Sequence, residues 1–256
     1  MTSLERQLRA ARNEGRKVLV PYIMGGMTPQ WTHHVEAAVH AGADAVEIGL
    51  PFSDPMMDGV VIQEAGLRSL EAGTTFDSIC DELDRLRLAV PLIAMTYFNV
   101  FHHYGLERAV GRLHATGFLG AIVPDLSFEE SDDWTAACAS HDVATIFMVA
   151  PSTPAERVAT IATATQGFAY ASARMAVTGQ SVGAGEGERV VQWIRAASDV
   201  PALIGIGITT PEQARVAAAG SDGVIVGSAL VQTLLDGAQP AQTEQFIRSF
   251  RFALDS

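Results

Sequence analysis

Short apolar, β-branched runs alternate with longer stretches of helical period from one end of the chain to the other. The pattern predicts strands at Val18–Met24, Asp44–Leu50, Pro91–Tyr97, Phe118–Val123, Val143–Val149, Gly167–Ala171, Ala202–Ile206 and Gly223–Val226. Between them it predicts helices at Thr28–Ala41, Val61–Leu70, Phe76–Leu88, Leu106–Ala115, Phe128–Ser140, Pro154–Ala164, Glu188–Ala197 and Pro211–Ala219, with a last helical region from Ser228. Strands this continuously apolar suit a parallel sheet that has helices on one face and its own core on the other. Eight such units close into a single (β/α)8 barrel, read as one catalytic domain over residues 1–256. The alternative, a doubly wound open sheet, usually carries G-x-G-x-x-G after its first strand, and Gly25-Gly26 does not supply it.

Composition narrows the function. Hydrophobic residues make up 48% of the 256 residues and charged ones 18%, enough for a large core. A net charge of −12 without any basic cluster argues against nucleic acid, whose phosphates demand grouped cations. Lys17 is the single lysine, so imine chemistry would have to use a residue near the start of the chain. Cys80 and Cys138 fall in helical patterns and read as reduced core residues of a cytoplasmic protein. The first residues are charged and lack an apolar signal core, and no apolar run approaches the roughly 18 residues of a membrane span.

In a barrel of this kind the chemistry sits at the C-terminal ends of the strands. Glu47 lies inside the second apolar strand, pointing either into the barrel or into the helix layer, and both places are costly for a charge. Burial of that sort raises a carboxyl pKa into a range useful for acid–base work. The following loop carries Asp54 and Asp58, between which composition alone does not choose. At the far end, Gly205, Gly207 and Gly227, followed by a helix from Ser228, read as an anion grip made of backbone N–H groups and a helix dipole, and Gly179 can complete the cup. His102-His103 and His33-His34 read as solvated loop pairs, with no metal site expected. Asp125 reads as a supporting or interface group, Tyr97, Asn99 and Tyr170 as pocket-shaping, and Trp31, Trp134 and Trp193 as packing residues.

The stretch Val46-Glu-Ile-Gly-Leu-Pro-Phe-Ser-Asp-Pro-Met-Met-Asp-Gly-Val-Val-Ile-Gln63 resembles the α-subunit family of tryptophan synthase. Met95–Asn99, Tyr104–Arg108, Val123–Leu126, Val177–Gly179, Gly205–Gln213 and Asp222–Ser228 add to the likeness, which runs from about Leu4 to the C-terminal helices. The resemblance implies cofactor-free cleavage of indole-3-glycerol phosphate to indole and glyceraldehyde 3-phosphate. It implies Glu47 as the acid/base and Asp58, not Asp54, as the group that holds the indole N–H. It further implies Tyr22, Met95, Tyr97 and Tyr170 as the indole pocket, Thr178 at the closing loop, and Gly179, Gly207, Gly227 and Ser228 at the phosphate. A β subunit is the implied partner. The chain departs from the family's pattern at Met57, at Val60 and at Ala173–Ala176, in loops that face that partner. Those departures leave room for a free-standing lyase of secondary metabolism or a weakly active regulatory subunit.

Overall fold

The computed structural model describes residues 1–172, 185–205 and 207–256. Among these, nine strands pair in parallel: β1 Val18–Met24, β2 Val46–Gly49, β3 Leu92–Met95, β4 Phe118–Ile122, β5 Ala144–Ile146, β6 Met148–Val149, β7 Ala169–Ser172, β8 Ala202–Gly205 and β9 Gly223–Val226. Their order is β5-β4-β3-β2-β1-β9-β8-β7-β6. The two outermost, β5 and β6, are consecutive pieces of one stretch of chain, so the ring closes as an eight-stranded (β/α)8 barrel.

The break in the fifth strand has a local cause. The Phe147 N–H donates to Thr165 Oγ1 at 3.0 Å instead of to a strand, and its ring packs edge-on against Phe128. The expected continuous strand Val143–Val149 is corrected accordingly. The expected helix Phe128–Ser140 also divides, into a 3-10 turn Phe128–Glu130 and a helix Asp132–Ser140. Two helices escaped the periodicity, Ser3–Asn13 and Phe98–Tyr104.

Alternation along the strands sorts the core into two layers. Val18, Val20, Ala45, Ile93, Ile122, Phe168, Leu203 and Ile225 fill the barrel interior. Leu19, Ile23, Ile48, Trp31, Trp134 and both cysteines pack between barrel and helices. Helix Ser3–Asn13, capped by Thr2, inserts Leu4 and Leu8 into the interior cluster from the N-terminal end of the barrel. A Cβ on Gly120 or Gly167 would lie 2.7 or 2.8 Å from Leu4 Cδ2, so those two positions must lack side chains for the plug to seat.

Carboxylates stitch the same end. Asp44, just before β2, accepts from Arg16 Nε at 2.6 Å, the Leu19 N–H at 2.8 Å and Arg251 Nη1 at 3.1 Å. Buried Arg251 also donates to the Lys17 carbonyl and pairs with Asp255. Asp222, just before β9, accepts from the Ala202 N–H at 2.8 Å and from Arg195 at 2.9 Å. Lys17 donates to the Ser221 carbonyl at this floor.

Candidate active site

Glu47 lies on β2, level with Tyr22 of β1 and Ile93 of β3. Its side chain takes the inward phase shared by Ala45 and Ile93, which decides between barrel and helix layer in favour of the barrel. It is 1% exposed, and its Oε2 has no hydrogen-bond partner among the described residues. Burial, with the negative charge of Asp58 adding to it, raises its pKa to about 8.

The loop from Pro51 to Gly59 brings Asp58 to the same mouth. Turns inside the loop (Met56 N–H to Asp54 O, Asp58 N–H to Pro55 O) give it a fixed shape. The Met57 N–H donates to the Tyr97 hydroxyl at 2.8 Å, and Gln63 Nε2 donates to the Asp58 carbonyl at 2.8 Å. Burial raises the Asp58 pKa to about 6, while a hydrogen bond from Tyr97 pulls the other way. Asp54 is exposed, and its carboxylate accepts from Ser53 Oγ of the same loop. Of the two loop acids, Asp58 is the one held inward.

Tyrosines form the walls. Tyr22, Tyr97 and Tyr170 are all buried, and burial raises each phenol pKa well above its ordinary value. The Tyr22 hydroxyl lies 2.0 Å from where a Cβ on Gly49 would be, and the Tyr170 hydroxyl 2.2 Å from a Cβ on Gly205. Each ring therefore occupies the space of a missing side chain on the neighbouring strand. The absence of a side chain at Gly205 leaves the Tyr170 ring its room.

A cleft opens between these groups, lined by Tyr22, Leu50, Phe52, Asp58, Met95 and Tyr97. The Phe52 ring stacks on Tyr97 with centroids 5.0 Å apart. Sequence reasoning passed over Phe52 and Gly49. An aromatic two residues past the expected strand end, and a glycine two residues past a buried acid, were the available signals.

On the opposite side, Gly207 adopts a φ of +95°, a left-handed conformation that strains any other residue. Thr210 and Gln213 then cap helix Pro211–Gly220 reciprocally. Gly227 follows β9 and caps the start of helix Ser228–Leu235, and a Cβ there would sit 3.7 Å from Tyr22. The structure thus brings Gly227 against the acid side of the mouth. Thr178 and Gly179 lie outside the described residues.

Other expectations are corrected. His102 and His103 are exposed but belong to helix Phe98–Tyr104, as does Asn99, which is exposed and outside the cleft lining. His34 is a buried helical residue hydrogen-bonded to Thr243 Oγ1 at 2.8 Å, not a solvated loop residue. Asp125 accepts the Phe98 N–H at 2.9 Å at the start of that helix. Among the described residues, no group of three or more His, Cys, Asp or Glu is arranged to hold a metal ion.

Fold and site together define a (β/α)8-barrel enzyme with two inward acids, Glu47 and Asp58, at its C-terminal mouth. A family model described as tryptophan synthase alpha chain matches residues 8–252. The tryptophan synthase alpha chain of Solibacter usitatus is 38% identical over 98% of this chain and 96% of its own length. That of Streptomyces coelicolor is 40% identical over 94% and 91%. Among solved structures, ligand-free tryptophan synthase from M. tuberculosis matches with a TM-score of 0.91 at 31% identity, covering 100% of both chains. The alpha subunit from Legionella pneumophila matches at 0.89 and 30% identity, covering 100% of this chain and 99% of its own. The chain belongs to the tryptophan synthase alpha chain family, the lyases of tryptophan biosynthesis.

Proposed function

We propose that the protein cleaves indole-3-glycerol phosphate to indole and glyceraldehyde 3-phosphate, with Glu47 moving the protons and Asp58 holding the indole ring. Glu47, protonated at neutral pH, delivers its proton to indole C3. Asp58 accepts the indole N–H and offsets the positive charge that develops on the ring. The Glu47 carboxylate then takes the proton of the side-chain hydroxyl next to C3. As the C=O forms, the C3–C bond breaks and its electron pair returns to the ring, restoring indole. The substrate's own ring is the electron sink, and Glu47 ends as it began.

The observation that carries this reading is the free Oε2 of a buried Glu47 whose pKa of about 8 suits a group that must both give and regain a proton. Asp58, with its lower pKa of about 6, is ionised at neutral pH and suited to the other task. Tyr22, Met95, Tyr97 and Tyr170 enclose the indole. Gly207, Gly227 and Ser228, with Thr178 and Gly179, hold the phosphate through backbone N–H groups and the helix end.

The whole chain works as one catalytic domain. Met56, Met57 and Val60 are more than half exposed at the rim beside Asp58, an apolar face that supports docking of a tryptophan synthase β subunit. We place the protein in the cytoplasm, in keeping with its two buried free cysteines. Among the described residues, no helix is long and apolar enough to cross a membrane.

The purified protein is expected to release indole from indole-3-glycerol phosphate, faster once a β subunit is added. Asp58→Asn is expected to slow turnover by about 100-fold with little change in KM. Absence of indole in both assays would remove the proposed reaction.

A further inference from the structure

Two hydroxyls at the mouth, those of Tyr22 and Tyr170, have no task in the reaction above, and the strand register sets Tyr22 level with Glu47. Tyr22 and Glu47 are partners across β1 and β2, in the same strand phase as the interior residues Val18, Val20 and Ala45, and both are buried. The Tyr22 ring leans over β2 until its oxygen reaches Gly49, the next inward residue after Glu47. That places the hydroxyl beside the strand that carries Glu47 and beside the cleft that Tyr22 shares with Asp58. The Tyr97 hydroxyl is already taken by Asp58 and by the Met57 N–H. The Tyr22 hydroxyl joins no hydrogen bond among the described residues, while both acids act on it through their charge.

We propose that the Tyr22 hydroxyl is the donor that steadies the ionised Glu47 carboxylate through its unpaired Oε2, with Gly49 leaving it the room. Tyr22 is then a positioning residue, and its service during turnover rests on the reaction proposed above. The physical need is plain. A shuttle must pass through its charged form, and a bare carboxylate inside an apolar barrel is held back from ionising. A hydrogen bond to the charged form lowers that cost. Burial keeps the phenol protonated, so it remains a donor throughout. The titratable groups facing Glu47 are Tyr22 on β1, Asp58 in the loop after β2, and Tyr170 on β7. Ile93, level with it on β3, contributes none.

Tyr22→Phe keeps the ring over Gly49 and removes only the oxygen. Titration of Glu47 is followed by carbon-13 NMR in protein carrying labelled glutamate side chains, with Glu47→Gln assigning the signal. The midpoint is expected to rise by about one pH unit in Tyr22→Phe, and kcat for indole release to fall about tenfold with KM within about twofold. An unmoved midpoint in the folded variant overturns the proposal. A larger rise in Tyr170→Phe than in Tyr22→Phe also overturns it, because the donor would then be Tyr170. The titration needs no substrate, so a failed indole assay counts against the reaction alone.

Discussion

The two ends of the barrel treat charge in opposite ways. At the N-terminal floor, Asp44 and Asp222 sit just before β2 and β9, and their oxygens are taken by arginines and strand N–H groups. At the C-terminal mouth, Glu47 lies only three residues beyond Asp44, yet it meets phenols, aliphatic side chains and another acid. A carboxylate with donors around it ties strands together. One without them holds its proton and remains chemically available. The same short segment of chain thus supplies an acid held by donors and an acid without them, and what separates them is the surroundings that the strand carries them into.

The largest effect should come from the reactive acid. Glu47→Gln is expected to slow indole release by about 1000-fold, some 4 kcal/mol of barrier. The same variant should be more stable than the parent. The folded pKa of about 8 stands above the ordinary 4.5, so the folded state binds the extra proton. The resulting penalty is absent below about pH 4.5 and grows as pH rises through 8. Thermal melts should therefore favour the glutamine variant by about 3 kcal/mol at pH 8 and by much less at pH 5. An equal advantage at both values would erase the contrast between the two ends.

Next in size, Asp44→Ala leaves Arg16 and buried Arg251 without their shared carboxylate. A loss of about 3 kcal/mol in urea unfolding is expected, with kcat of the folded protein unchanged. A fall in kcat at full stability would show that floor and mouth are not separate. Smaller still, Gly205→Ala drives a methyl group into the Tyr170 ring at the mouth, and about 2 kcal/mol of stability should be lost. A neutral result would mean that the ring has somewhere else to go.

Much of this was legible in the chain. β1 and β9 begin and end where alternation and flanking glycines put them, because each is an apolar run with nothing nearby to compete for its backbone. The fifth strand was read as unbroken, since a side-chain hydroxyl 18 residues away that captures the Phe147 N–H leaves no mark on periodicity. Helix Ser3–Asn13 was hidden by its many charges, although Thr2 as a cap and Leu4 with Leu8 one turn apart were signals in plain view. At the site, Glu47 stood out as an acid in an apolar strand. Asp54 and Asp58 were indistinguishable by composition, and their separation depends on the Tyr97 contact, which forms across strands. The room that Gly205 leaves for the Tyr170 ring left no mark in the sequence, because a glycine that admits a ring and a glycine that admits an anion look alike in one dimension.

Leu4 gives the molecule a direction of traffic. With that side chain wedged beneath Gly120 and Gly167, a small molecule set free among the barrel's inner residues finds the bottom stoppered. The opposite end is the one with the cleft, and there Met56 and Met57 stand exposed.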